Sequence, residues 1–302
     1  MRRMLFEDAL DVIEKYNENH DELGRFSSGP GGGAIAEVSQ RLFASTNEPD
    51  IKSEHILGEL NEDQRRHIED TEARLARGVS SDAPVSKGGF KDESGRYTAE
   101  REAEHNRILN TIFTDQAVAD ATPAEGQKPL VTFLGGRGGS GKSWFTNAAG
   151  PVDTSTAIVL NSDHIKEMLP GYQGWNAALL HDESSDILAR AEDIARSHGL
   201  NVVLDATLRN EEGAAARLAL YQAHGYDIEG YYMHTSPQEA ARRGMARFLR
   251  GGTDGRYVRV NYILDSTSNE RTFDRLKTSF RKWQIYDNNT RGSGPKFVAG
   301  SG

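Results

Sequence analysis

The sequence predicts an α/β fold: a three-layer core around a mostly parallel sheet, with a helical extension on its N-terminal side. Two observations carry this. From Lys128 onward, short apolar runs alternate with stretches of helical periodicity: PLVTFL (129–134), AIVL (157–160), NVVL (201–204) and IEGYYM (228–233). Parallel strands are buried on both faces, so they read as continuous apolar runs joined by helical crossovers. The second observation is a glycine-rich segment placed directly between the first run and the next helical stretch.

Ahead of Lys128 the pattern is helical and polar. Residues 4–19 place Leu5, Ala9, Val12, Ile13 and Tyr16 on one helix face. HDELGRFSSGPGGG follows, and Pro30 with the glycines between Gly24 and Gly33 makes a flexible hinge. Residues 34–78 read as helix with a thin apolar stripe (Ile56, Leu57, Leu60, Ile68), and residues 79–98 as a loop. Thr98 can cap a helix running through AEREAEHNRILNTIFTDQAV (99–118), with Ala103, Ile108, Leu109 and Ile112 facing a core. Beyond Lys128 the strongest helix is 183–198, where Ile187, Leu188, Ala191, Ile194 and Ala195 recur at helical spacing and Gly199 ends it. Ser236, Pro237 and Glu239 mark another helix start. Residues 269–281 give one more helix, and WQIY (283–286) a late strand. The division expected is a short helix and flexible segment (1–33), a mainly helical region (34–127), an α/β domain (128–290) and a loose tail (291–302).

Composition narrows the function. The 302 residues carry 36 Lys+Arg against 45 Asp+Glu, a formal net charge of -9. That disfavours bulk electrostatic binding to nucleic acid or to an anionic membrane. There is no cysteine, which removes disulfides, thiolate nucleophiles and Cys-ligated zinc. The nine histidines show no metal-ligand spacing. No apolar run approaches a membrane span, and no secretory signal is visible after Met1-Arg2-Arg3, so a cytoplasmic protein is expected.

Gly136-Arg137-Gly138-Gly139-Ser140-Gly141-Lys142-Ser143 satisfies G-x-x-x-x-G-K-[ST], directly after a predicted strand and before a helical stretch. Glycines let successive backbone N–H groups turn inward around an anion, and a helix starting there directs its free donors at the phosphates. Gly136, Gly138, Gly139, Ser140, Gly141, Lys142 and Ser143 are therefore the candidate nucleotide-binding residues. Lys142 would reach the β- and γ-phosphates of ATP, and Ser143 would hold Mg²⁺. The rival is a dinucleotide fingerprint, because Gly136-x-Gly138-x-x-Gly141 also fits it and Asp163 stands where a ribose-binding acid belongs. The Lys142-Ser143 pair and the downstream arginines favour a triphosphate.

Two acids follow strands. Asp163 lies just past AIVL-Asn161-Ser162, at the sheet edge where ligands sit, and can accept a proton from an attacking hydroxyl; the alternative is that it caps the helix over 164–169. Asp205 follows NVVL, in the place of a carboxylate that holds Mg²⁺ or positions substrate, with Thr207 and Arg209 beside it as substrate contacts. Glu183 opens the strongest helix, either as a substrate contact or as a first-turn acid favoured by the helix dipole. Arg242, Arg243, Arg247, Arg250, Arg256 and Arg259 form the densest cationic patch of an acidic chain, around Gly251, Gly252 and Gly255. An arginine-bearing lid over ATP is the functional reading, since phosphoryl transfer needs charge neutralised on the transferring oxygens.

These pieces resemble the zeta-toxin family of P-loop kinases. The likeness rests on GGRGGSGKS (135–143), NSDHIKEMLPGY (161–172), HDESS (181–185), NVVLDATLRN (201–210), ARRGMARF (241–248), GRYVRV (255–260) and WQIYDN (283–288). It implies a P-loop α/β core and transfer of phosphate from ATP to a hydroxyl of UDP-N-acetylglucosamine. It matches Lys142 and Ser143 to the Walker residues and Asp163 to the catalytic base. Asp205 matches a carboxylate that is glutamate in the best-known toxins, and Arg247 and Arg256 match the two arginines that grip the phosphates. It also implies a small antitoxin partner over the nucleotide site, a place that residues 34–107 are long enough to occupy in cis as an inhibitor; the alternative is that they form a docking domain. HDELGRFSSG (20–29) resembles a segment of phage structural proteins, and GRYTAEREAEH (95–105) the lead-in of large phage-encoded relatives, implying a phage or prophage origin and allowing a virion association. The expected function is thus an ATP-dependent kinase of a small acceptor, a sugar nucleotide first. A polynucleotide 5′-hydroxyl kinase and a non-catalytic ATP-binding phage assembly module are the alternatives.

Overall fold

The four apolar runs and the late WQIY segment become five parallel strands. In the computed structural model, which describes residues 52–78, 90–92, 94–252, 255–290 and 292–301, β1 (Leu130–Gly135), β2 (Ile158–Asn161), β3 (Val202–Asp205), β4 (Asp227–His234) and β5 (Lys282–Asp287) pair in the order β2-β3-β1-β4-β5. The strand bearing the phosphate-loop motif is therefore central, and the strand ending at Asp205 lies beside it. The expected helix over 4–19 and the hinge at Gly24–Gly33 lie outside the described residues.

The tail is a correction. Lys296–Ser301 forms a sixth strand, β6, antiparallel to β5, with Ala299 in the core. The free edge of β5 offers a row of unpaired N–H and C=O groups, and pairing them outweighs the weak strand preference of a glycine-containing segment.

The three-layer expectation also needs correction. One sheet face, formed by Val131, Phe133, Ile158, Leu160, Val202, Leu204 and Ile228, packs on a helical layer that supplies Ile108, Ala121, Ile187, Ala191, Leu218, Tyr221, Phe273 and Leu276. These come from α3 (Ala99–Ile112), α4 (Asp115–Ala121), α6 (His181–Ser197), α7 (Glu211–Ala223) and α10 (Ser268–Leu276). The other face, with Leu134, Val203, Tyr231 and Met233, packs on Phe145, Val152 and Trp144. Among the described residues no α-helix covers that face. The cause is handedness: right-handed crossovers put the β1-to-β2 connection opposite the others, and here that connection holds only a 3₁₀ turn, Lys142–Thr146. A Cβ on Gly150 would lie 2.2 Å from the Trp144 carbonyl oxygen, so the chain doubles back at once, and Val152 N–H bonds Phe145 O at 3.1 Å.

The helix expected over 99–118 is two helices. Thr114 restarts the chain as α4, its hydroxyl accepting from Ala117 N. Thr98 does cap α3, accepting from Arg101 N. Gly199, in the left-handed region, follows the end of α6, and Ser236 caps α8 (Pro237–Arg250) as its sequence requires. A second core joins α1 (Ser53–Gly58) and α2 (Glu62–Arg77) to α8 and α9 (Val260–Leu264), through Ile56, Ile68, Leu75, Met245, Phe248, Tyr257, Val260 and Ile263. The thin stripe of the N-terminal region is thus buried against the arginine-bearing helix. Among the described residues no helix is long and apolar enough to cross a membrane.

Candidate active site

The loop after β1 needs its glycines. Gly136, Gly139 and Gly141 all have positive φ, at 138°, 84° and 91°, a region costly to residues with a Cβ. A Cβ on Gly139 would meet the Ala240 carbonyl oxygen at 2.2 Å. The loop is held from behind. Ser140 O accepts from Asn288 Nδ2 (2.8 Å) and Thr235 Oγ1 (3.2 Å). The Arg137 side chain is only 1% exposed and bonds Glu270 Oε1 at 2.8 Å, an oxygen shared with His234 Nδ1 at 3.1 Å. Sequence reasoning missed these supports, because an arginine among glycines carries no sign of burial. Ser143 is exposed at the start of the 3₁₀ turn. That turn replaces the expected longer helix, so loop amides rather than a long helix dipole are left to meet an anion.

Lys142 Nζ folds back onto Gly136 O at 2.9 Å and stands 3.6 Å from Asp205 Oδ1. Asp205 pairs in register with Asn161 across β3 and β2, and its Oδ2 accepts from Asn161 Nδ2 at 3.1 Å. Asn161 is also the cap of α5 (Ser162–Met168), its Oδ1 accepting from Asp163 N at 2.8 Å. Asp163 therefore does not cap the helix, and its carboxylate is turned to other partners. Lys166 Nζ lies 2.9 Å from Oδ1 and Arg256 Nη2 lies 2.6 Å from Oδ2. Burial alone would raise the Asp163 pKa, but Arg256, then Lys166 and the more distant Lys142, hold it down at about 2. The signals for Asn161 and Lys166 were in the sequence: an Asx residue after a strand, and a lysine three residues past the acid on one helix face.

The structure thus links Lys142, Asp205, Asn161, Asp163 and Arg256 in one chain of contacts. Arg247, half-buried on α8, lies near enough that its charge and that of Arg256 both act on the Tyr172 phenol. Burial, then Glu167, still push that phenol above its usual range. Tyr172 sits in the segment after α5, and its hydroxyl is buried without a hydrogen-bond partner. Thr207 is exposed beside Asp205. Leu208 next to it has φ 56°, a conformation rare outside glycine, which turns the chain so that Leu208 is buried while Arg209 stacks 4.3 Å from the centre of the Tyr262 ring.

Other expected members are engaged elsewhere. Both Glu183 oxygens face α3: Arg101 Nε and Nη2 donate at 2.6 and 2.9 Å, and His105 Nε2 lies 2.6 Å from Oε1. Arg242 bonds Glu59, Arg243 bonds Glu239, and Arg259 bonds Glu72. The arginine patch is thus divided: Arg256 pairs with Asp163 and Arg247 stands near Tyr172, while Arg242 and Arg259 tie the patch to the α1–α2 region.

The zeta toxin family model matches residues 115–292, more than half of the chain. The chain belongs to the zeta toxin family. The match runs from α4 through the strand-end acids to the loop after β5, so it contains every element that builds the site described above. Among solved structures, the fold is similar to that in the AvrRxo1-ORF1:AvrRxo1-ORF2 complex with sulphate ions, at 18% identity and a TM-score of 0.56, covering 69% of each chain. The complex with ATP gives 19% identity and a TM-score of 0.54 over the same shares. No curated protein matches this chain in sequence. The zeta-toxin P-loop α/β fold expected from the motifs is therefore present, with the phosphate loop on its central strand.

Proposed function

We propose that this zeta toxin family member is an ATP-dependent phosphotransferase that moves a phosphoryl group onto a hydroxyl of a small acceptor, a UDP-N-acetyl sugar. The observation that carries the reading is the chain of contacts from Lys142 through Asp205 and Asn161 to Asp163 and Arg256. It gathers a phosphate cation, a metal-type carboxylate, a proton acceptor and an arginine at one sheet edge. Lys142 would leave Gly136 O for the β- and γ-phosphates of ATP. Ser143 and Asp205 would offer oxygen donors to Mg²⁺, which usually takes one or two protein oxygens beside phosphate and water. When bound, Mg²⁺ neutralises charge on the transferring group. Asp163 would accept the acceptor hydroxyl's proton as its oxygen bonds to the γ-phosphorus and the bond to ADP breaks. Arg247 and Arg256 would stabilise charge on the transferring oxygens. Thr207 and Arg209, on the turn after Asp205, would contact the acceptor. The ORF1:ORF2 complexes among the similar folds, together with the family, support an antitoxin-type protein partner.

Mass analysis of products from labelled ATP, offered with UDP-sugars, nucleosides and 5′-hydroxyl oligonucleotides, tests the acceptor. Transfer to the oligonucleotide alone would replace the sugar with a polynucleotide end. Calorimetry tests the nucleotide site: Lys142→Ala is expected to lose or cripple Mg·ATP binding, and equal affinity in the two proteins would sink the reading.

A further inference from the structure

We propose that Glu72, which lies ahead of the family-matched segment, is a positioning residue for Arg256. The inference rests on the reading above, that Arg256 serves phosphoryl transfer. Glu72 stands on α2 one turn after Ile68, within the face that packs on α8 and α9. That seat is firm. The His67 ring stacks on Phe248 at 5.2 Å, and the Arg74 guanidinium lies 3.9 Å from the centre of the Trp175 ring. From it, Glu72 Oε1 accepts from the Tyr257 hydroxyl at 2.6 Å, and Arg259 Nε donates to Oε2 at 2.9 Å and to Oε1 at 3.2 Å. One carboxylate therefore fixes two residues of the segment Gly255–Arg259. From the other side, Tyr257 N–H donates to Gly174 O at 3.1 Å, and a Cβ on Gly174 would come within 2.8 Å of Gly255 O. Arg256 is the residue between these grips, and its guanidinium is the one that reaches Asp163.

The described backbone before the segment is held by local bonds: Gly251 and Gly252 both have positive φ, Gly251 N–H donates to Phe248 O at 2.9 Å and Gly255 N–H to Gly252 O at 3.1 Å. These bonds end at Gly255 and do not reach Tyr257 or Arg259, which Glu72 holds. An arginine acting on transferring oxygens must be held within a fraction of an ångström. Tyr257 can serve as an anchor because its ring is buried and its hydroxyl, pushed well above its usual range by burial and by Glu72, keeps its proton to donate. The segment that carries a reactive arginine is thus fastened by a residue outside the part of the chain that defines the family.

The experiment compares the full chain with Glu72→Gln, Tyr257→Phe and a control, Glu59→Gln, which breaks the nearby Arg242 pair but does not touch 255–259. Amide hydrogen exchange of residues 255–264, followed without nucleotide, is expected to rise several-fold in Glu72→Gln, less in Tyr257→Phe and not in the control. The kcat of Glu72→Gln is expected to fall about tenfold with KM for Mg·ATP nearly unchanged, less than the roughly hundredfold that a 1 Å misplacement can cost. Exchange and kcat equal to wild type in Glu72→Gln would overturn the proposal. A rise in kcat would overturn it too, and would make α2 a restraint in cis. If the wild-type chain transfers no phosphate to any acceptor, the functional reading fails instead, and the exchange comparison still decides whether Glu72 fastens the segment.

Discussion

Asp163 and Glu183 hold nearly the same station on consecutive helices, in the first turns of α5 and α6, and each carboxylate lies between two nitrogen-bearing side chains. Their surroundings differ. Asp163 keeps 24% of its side chain exposed, and its partners Lys166 and Arg256 lie within the family-matched segment. Glu183 is 8% exposed, and its partners Arg101 and His105 come from α3, ahead of that segment. A carboxylate with an accessible edge and long, movable partners can exchange them for a substrate. One sealed beneath a bidentate arginine and a histidine can only hold two elements together. Position in a helix does not separate these two acids; the origin and burial of their partners do.

Removing the Asp163 charge is the strongest way to test this contrast. Asp163→Asn is expected to keep Mg·ATP binding and lose acceptor phosphorylation by roughly 10²–10⁴-fold, the range for a positioned proton acceptor. Near-normal turnover would reduce Asp163 to an ion-pair partner and erase the distinction from Glu183. The matching change, Glu183→Ala, leaves the Arg101 guanidinium buried and unpaired. Breaking one side of such a pair typically costs about 3–5 kcal/mol, read as a lower denaturant midpoint. The kcat per folded molecule should stay close to wild type. A large kcat loss in a stable Glu183→Ala protein would return Glu183 to the acceptor site.

Much of this was legible from residues alone, and the exceptions share a cause. Strands β1, β3 and β4 were visible because burial on both faces writes each one as an apolar run; β2 was visible as a run although Val159 is exposed, and β5 as the shorter WQIY segment. Asp163 and Asp205 were visible because the ends of such strands are where an α/β sheet binds. β6 was missed because a short edge strand that ends in a glycine and a serine has no such run; its pairing is decided by the free side of β5. The partners of Glu183 were missed because Arg101 and His105 lie 82 and 78 residues away, and nothing local distinguishes them from the other charges of a polar helix. The same holds for Arg137 with Glu270, and for Glu72 with Tyr257 and Arg259. The break at Thr114 did carry a local signal, a Thr-Asp cap, which the continuous helical periodicity around it masked.

The arginines sharpen the contrast on the reacting side. Arg256→Ala is expected to lower kcat by about 10², comparable to losing one charge-stabilising donor, with a smaller effect on Mg·ATP affinity. Arg247→Ala should act in the same direction, since its charge reaches the same phenol, Tyr172. A pure KM effect for ATP with kcat intact in both variants would move these arginines from the transition state to ground-state binding. Arg242→Ala, whose partner is Glu59 just past the end of α1, should leave kcat unchanged and cost at most about 1 kcal/mol of stability, as for other part-exposed pairs.

The smallest effect is thermodynamic and asks whether the ion pairs on Asp163 form in solution. Its folded pKa of about 2 lies below the ordinary value of 3.8. A depressed carboxylate pKa means that the folded state favours the charged form. The stabilisation is therefore complete above the unfolded pKa and disappears as pH falls through the folded one. The shift corresponds to roughly 2 kcal/mol, of which about half should be gone by pH 3. Unfolding free energies of the wild-type and Asp163→Asn proteins, measured in urea from pH 6 to pH 3, should therefore converge by roughly 1 kcal/mol. Glu183 is lowered in the same direction: burial opposes the shift, but His105 and Arg101 outweigh it. Glu183→Gln should converge on wild type with the same sign. A constant gap between wild type and Asp163→Asn across this range would mean that Arg256 and Lys166 do not hold the carboxylate in solution. Arg256 would then stand away from Asp163 in the resting protein, and a higher acid limb in the pH profile of kcat/KM would follow, since the free enzyme's base would titrate in the ordinary carboxylate range.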